Sequence, residues 1–127
     1  MKQYHKPQTK KVRRGTGAKR VKSMDKKLAH VGGVFTATKV ADKEVRETRR
    51  TRGGGKAPKL KKAAFANVAT ENGVKKVKIL RVIESHNPEY VRMNIITKGA
   101  VIETEIGKVK VTNRVGQDGI VNGVLLK

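Results

Sequence analysis

Apolar and polar residues alternate in several short runs through the second half of the chain, and turn residues separate these runs. The alternation predicts strands of four to ten residues, because side chains of a strand point to its two faces in turn. The predicted strands cover residues 65–70, 74–83, 94–97, 100–105, 108–112 and 120–126. Asn72-Gly73 is a hairpin turn signal. Short, β-branched strands punctuated by glycine turns favour a small antiparallel barrel or sandwich.

The first half of the chain has weaker patterning. Residues 34–40 and 45–51 alternate as strands would, with a turn at Asp42, and Ser23 is placed to cap a short helix over residues 24–30. Residues 1–22 show neither a helical nor a strand period, which predicts an extended arm. After the triple glycine at 53–55, we expect residues 56–62 to form a second basic loop around Pro58. Residues 89–92 are expected to form either a turn of helix or a short lead into the strand at 94–97.

Composition adds a strong charge imbalance to this picture. The 127 residues include 31 Lys and Arg against 10 Asp and Glu, a formal charge of +21. Residues 1–62 carry 21 of the basic residues against 4 acids, a net +17, whereas residues 63–127 carry a net +4. The second half has enough apolar residues to bury a core, and the first half does not. Such asymmetry is typical of a compact module with an arm that binds a polyanion.

Other classes of function find little support in the sequence. The chain has no cysteine and its three histidines are scattered, so we expect no disulfide, metal or cofactor. The glycine run before Lys56 lacks the serine or threonine of a phosphate loop, because Ala57 follows the lysine. Glu103 and Glu105 are explained as exposed strand charges, so we expect no catalysis and no small-molecule substrate. No uncharged stretch, residues 63–70 among them, is long enough to span a membrane.

The candidate site is the set of basic residues with the glycines among them. Lysine and arginine bind phosphate by charge, arginine adds a forked pair of hydrogen bonds, and glycine lets the backbone approach closely. In the arm the candidates are Lys10, Lys11, Arg13, Arg14, Gly15, Thr16, Gly17, Lys19, Arg20, Lys22, Lys26 and Lys27. Beyond the arm they are Arg46, Arg49, Arg50, Arg52, Gly53, Gly54, Lys56, Lys59, Lys61 and Lys62.

The kind of polyanion follows from what the chain lacks. Two Tyr and two Phe are too few to form the aromatic surface on which proteins that bind single-stranded nucleic acid stack bases. The chain also lacks the zinc-finger spacing and the basic helix followed by heptads that are typical of proteins that bind duplex DNA. The ligand class that remains after these exclusions is a structured RNA, which the protein would bind through the shape of the RNA and its phosphates. A free-standing chromatin or DNA-compacting protein is the alternative that composition leaves open.

Several segments, spread from the arm to the final strand, resemble one protein family. These are Arg13-Arg14-Gly15-Thr16-Gly17-Ala18, Thr51-Arg52-Gly53-Gly54, Phe65-Ala66-Asn67-Val68, Asn87-Pro88-Glu89-Tyr90-Val91-Arg92 and Arg114-Val115-Gly116-Gln117-Asp118-Gly119. They resemble the e-type ribosomal protein eight of the archaeal and eukaryotic small subunit, in its short archaeal form. Residues 23–31 and Gly55 depart from that family's usual pattern.

The resemblance implies a small β-barrel with basic extensions that binds small-subunit rRNA and catalyses nothing. Together with the patterning, it leads us to expect an all-β fold with an rRNA-binding arm at 1–33 and a barrel domain at 34–127 that carries a basic, glycine-rich loop at 52–62. The expected partners are small-subunit rRNA and neighbouring small-subunit proteins, in a cytoplasmic ribosome, with no membrane contact.

Overall fold

The computed structural model describes residues 4, 12, 14–18, 30–51 and 53–126. The chain forms two compact units, Met1–Phe35 and Thr36–Lys127. In the first unit an isolated antiparallel bridge joins Tyr4 to Val31, and a turn begins at Arg14. Residues 24–29 of the expected short helix lie outside the described residues.

The second unit consists almost entirely of strands. Its strands are β1 (Thr38–Val40), β2 (Val45–Arg50), β3 (Lys56–Ala63), β4 (Phe65–Thr70), β5 (Gly73–Glu84), β6 (Ile95–Ile96), β7 (Val101–Thr104), β8 (Gly107–Val111) and β9 (Asn122–Leu125). Two short helices, α1 (Pro88–Arg92) and α2 (Val115–Asp118), lie between strands. Asn87 caps α1 because its side-chain oxygen accepts a hydrogen bond from the Glu89 amide.

Five of the strands close into a barrel in the order β4-β5-β7-β8-β9. Four of the pairings are antiparallel, and a parallel pairing of β4 with β9 closes the ring. Inside lie aliphatic side chains from alternate positions, such as Val68, Ile79, Ile102 and Val109, each at most 2% exposed. The barrel is narrow enough to be filled by these side chains, as expected for a small barrel. The predicted all-β barrel is thereby confirmed.

The other four strands form a second sheet in the order β2-β3-β1-β6. Strand β3 pairs with β2 along its whole length, but β1 pairs only with the last two residues of β3, Lys62 and Ala63. Buried Thr38 of β1 donates its hydroxyl proton to the Leu60 carbonyl of β3 at 2.6 Å. Leu60 is fully buried and belongs to the same hydrophobic cluster as the barrel residues.

The prediction of a loop over residues 56–62 is wrong, because these residues form strand β3. Proline argues against a central strand, but at Pro58 the strand has a ladder partner on one side only, in β2. A strand tolerates proline at such a position. Strand β1 is also shorter than the predicted 34–40, and helix α2 was not predicted. The remaining predicted strands are confirmed to within two residues at each end.

Candidate nucleic-acid interface

The β2–β3 hairpin carries the densest group of exposed basic side chains in the described part of the chain. All six residues of β2 are exposed, and no acidic residue occurs between Glu47 and Glu71. Register places Arg50 directly opposite Lys56 and Arg49 opposite Ala57. Side chains directly opposite on an antiparallel pair lie on one face within about 5 Å at Cβ. The distal end of the hairpin is therefore a concentrated positive surface.

Two of the predicted basic residues are already held by the protein. Arg46 donates from Nε to the Gly119 carbonyl at 2.8 Å, and its Nη2 lies 2.7 Å from Glu44 Oε2. Lys61, on β3 of the same hairpin, forms an ion pair with Glu47 of β2, with 3.4 Å between Nζ and Oε2. Arg46 uses two of its five N–H donors in these contacts, which fixes the guanidinium and leaves three donors.

The other basic residues of the hairpin that the structure describes have no such partner. Within the described residues, no ion pair involves any of five side chains: Arg49, Arg50, Lys56, Lys59 and Lys62. Arg49, Arg50, Lys56 and Lys62 are exposed, and Lys59 is half-buried. Their charges face water and are available to an anion.

In the turn that joins β2 to β3, the backbone of two glycines is exposed to solvent. Gly53 and Gly54 have φ of +89° and +81°, and no atom lies within 4 Å of where a Cβ would stand on either. The turn is closed by a hydrogen bond from the Thr51 amide to the Gly55 carbonyl at 2.7 Å. A side chain would strain this conformation without meeting an obstacle. Arg52, also predicted, lies outside the described residues.

In the first unit, the structure describes four of the predicted arm residues, which are Arg14, Gly15, Thr16 and Gly17. All four are exposed, and the two glycines have φ of +105° and +70°. The remaining arm candidates lie outside the described residues: Lys10, Lys11, Arg13, Lys19, Arg20, Lys22, Lys26 and Lys27.

Sequence reasoning missed the outer face of the barrel next to the hairpin. Lys76 of β5 places its ammonium nitrogen 4.7 Å from the centre of the Phe65 ring of β4. With Arg46, these two side chains line a small cavity of about 130 Å³. The alternation of residues 74–78 already predicts an outward Lys76, but the approach of Arg46 needs the contact between two sheets.

The described residues contain neither a cluster of metal ligands nor a membrane-spanning helix. No three acidic or histidine side chains come together as metal ligands. No helix there has the length and apolar character needed to cross a bilayer.

The amino-acid sequence of the chain is similar to those of known proteins of one family. Residues 7–126 match the family described as ribosomal protein S8e. The chain is 46% identical over 118 residues to the small ribosomal subunit protein eS8 of Sulfolobus acidocaldarius, covering 91% of this chain and 92% of the relative. It is 45% identical to the protein of the same name from Ignicoccus hospitalis, covering 98% and 96%, and 43% identical to that of Staphylothermus marinus, covering 91% and 93%.

These matches confirm the resemblance stated from the sequence. They agree with the expectation of a protein without catalysis, because the family is one of structural ribosomal proteins. The similarity runs from the arm, through the basic hairpin, to the last strand of the barrel. On that extent of similarity, the chain belongs to the ribosomal protein S8e family.

Proposed function

We propose that this protein is a structural constituent of the small ribosomal subunit that binds and stabilises folded small-subunit rRNA through Lys–phosphate and Arg–phosphate contacts. The observation that carries the proposal is the pairing of Arg50 with Lys56 across the hairpin, with no acid between residues 47 and 71. Like charges directly opposite each other destabilise a sheet. A phosphate bound between them would turn that repulsion into attraction.

In this proposal the two parts of the chain divide the work. The domain at 34–127 docks on a surface of folded rRNA and presents the hairpin tip to a crevice between RNA helices. The arm at 1–33 enters the RNA and screens phosphates that repel each other. Ordering such an arm costs about 1–2 kcal/mol per residue in backbone entropy. Counterion release and charge-assisted hydrogen bonds offset that cost when RNA is present.

All the candidate residues of the arm and hairpin, Thr16 included, belong to the proposed interface, but two of them differ from the rest. Arg46 and Lys61 already pair with glutamates, so they contribute with part of their donors. Arg49, Arg50 and Lys56 keep all of theirs. We therefore expect the strongest phosphate contacts of the hairpin at its tip. Neighbouring small-subunit proteins are the further partners, and a cytoplasmic ribosome is the proposed location.

Sedimentation of a cell extract on a sucrose gradient with stepped salt tests this function, with the protein followed by mass spectrometry. We expect it to travel with the small subunit in a one-to-one ratio and to resist moderate salt. Migration with DNA, or recovery at the top of the gradient, would refute the proposal. Equal affinity for bulk duplex DNA and for rRNA would favour a DNA-compacting protein instead.

Deletion of residues 1–22 tests the role of the arm. The buried cluster of the second unit lies between Leu60 and Val121, so the truncated chain should keep its circular dichroism spectrum and thermal transition. Its incorporation into small subunits should fall. Unchanged incorporation of the folded, truncated protein would contradict the proposed role of the arm.

A further inference from the structure

Phe65 is unusual among the apolar residues of the second unit. The chain contains four aromatic residues other than histidine, and the hydrophobic core of the described residues is built from aliphatic side chains alone. Phe65 stands outside that core, on the outer face of β4, and is 39% exposed. Its ring is therefore only partly covered by the protein. An exposed aromatic side chain among cations is the arrangement with which proteins stack unpaired RNA bases.

The cavity beside Phe65 has the size of a small group. It measures about 130 Å³ and lies between β2 of the second sheet, strands β4 and β5 of the barrel, and the segment that leads into β9. Its lining includes Arg46, Phe65, Asn67, Lys76 and Ile120. At roughly 30 Å³ for each water of the liquid, it holds about four waters, the space of one planar ring.

The polar groups of the cavity are held in place and keep bonding capacity. Arg46 is fixed by Glu44 and by the Gly119 carbonyl, with three N–H donors left. Asn67 donates from Nδ2 to Asn122 Oδ1 at 3.1 Å, which orients its amide and leaves its own Oδ1 as an acceptor. No ion pair within the described residues involves Lys76, whose ammonium lies over the Phe65 ring. Such an exposed cation–π contact is weak, so a phosphate can take over the lysine.

We propose that this cavity binds one unpaired nucleobase of the RNA, stacked against Phe65, with an adjoining phosphate held by Lys76 and Arg46. The donors of Arg46 and the acceptor of Asn67 are available to the edge of the base. An acidic peptide would satisfy the cations but would leave the Phe65 ring without a stacking partner. This inference rests on the proposed function, and it adds one stacked base to an interface otherwise made by phosphates.

Ultraviolet cross-linking of native small subunits tests the cavity directly, because stacked bases cross-link to aromatic side chains. After irradiation and digestion, we expect a nucleotide adduct on the peptide that contains Phe65. The Phe65→Leu substitution keeps an apolar side chain and should abolish that adduct, whereas Phe65→Tyr should retain it. The matched control is Phe35→Leu, which makes the same change at the other phenylalanine and should leave the Phe65 adduct in place.

Binding of the purified full chain to small-subunit rRNA gives the second measurement. We expect Phe65→Leu to weaken binding by roughly fivefold to a hundredfold, the range for removing one base–aromatic stack, with an unchanged salt dependence since no charge is lost. Equal binding by the folded variant would overturn the inference.

The cross-linking pattern separates this inference from the proposed function. Adducts on arm or hairpin peptides without one at Phe65 would overturn the base pocket and leave the proposed function intact. Absence of the protein from small subunits would overturn both. A chemical cross-link from Lys76 to a carboxylate of a neighbouring protein, with no nucleotide adduct at Phe65, would assign the cavity to a protein partner and overturn the inference.

Discussion

Removing the three charges at the tip of the hairpin should weaken RNA binding in a manner that depends on salt. The perturbation is the triple substitution of Arg49, Arg50 and Lys56 by glutamine, which keeps polar side chains of similar reach and lowers the formal charge from +21 by three. All three residues are exposed and without an ion pair in the described part of the chain, so the fold loses no ion pair there. Relief of the repulsion between Arg50 and Lys56 should make the free variant slightly more stable.

The magnitude follows from counterion release. Each phosphate contact contributes about 0.7–0.9 to the slope of log affinity against log salt, so three lost contacts should make that slope shallower by roughly 2 to 3. Extrapolated from a common affinity near about 1 M salt, the variant should bind roughly a hundredfold or more weakly at about 0.1 M. Filter binding or fluorescence titration with small-subunit rRNA over a salt series measures both quantities.

A second triple variant controls for net charge alone. Lys98 lies between β6 and β7, and Lys108 and Lys110 lie on β8. All three are exposed and outside the hairpin, and their substitution by glutamine removes the same charge. We expect a markedly smaller change in slope for this control. Equal slopes for the two variants would refute the reasoning, because they would show that overall charge, and not the hairpin tip, determines binding.

Three predictions concern stability, and each is measured by chemical denaturation of the full chain followed by circular dichroism. Leu60→Ala should lower the free energy of unfolding by about 2–5 kcal/mol, because Leu60 is fully buried; a loss below about 1 kcal/mol would show that the second sheet does not share the core. Gly123→Ala should lower the free energy of unfolding by at least about 1–3 kcal/mol, because the new Cβ would overlap the Val109 side chain inside the barrel. A variant with wild-type stability would contradict that close packing. Arg81→Ala should lower the free energy of unfolding by less than about 1 kcal/mol. Arg81 Nε lies 2.6 Å from Glu103 Oε2, but the ion pair is exposed to water, which weakens it. A larger loss would show that water does not screen the pair.

The sequence predicts the barrel strands well because each has a local signature. Alternation and a glycine or asparagine turn define β4 and β5, and the observed bounds nearly match the predicted ones. Strand β3 was missed because its lysines and Pro58 are typical of a loop, and its pairing with β2 compensates for that composition. The parallel pairing of β4 with β9 joins Asn67 to Asn122, 55 residues apart, and no local pattern carries that information.

The candidate site was predictable in kind and less so in detail. Charge density alone locates the hairpin residues, but it does not distinguish Arg49, which faces water, from Arg46, which is held by Glu44 and a carbonyl 73 residues away. The cavity at Phe65 requires two sheets to meet, so it becomes visible only in three dimensions. What the sequence could not predict about the site depends on contacts between residues far apart in the chain, and not on residue types.

The parallel pairing of β4 with β9 also sets the order in which the molecule can form during synthesis. Strand β4 is the first barrel strand to be translated and β9 is the last, so the ring cannot close until all five strands have been made. Until then, one side of β4 is an open edge that can pair with other chains. The basic hairpin precedes β4 and needs only β2 and β3 to pair, which is a local and therefore fast event. The charged hairpin can thus be formed and exposed before the barrel is complete, while the last strand is still being added.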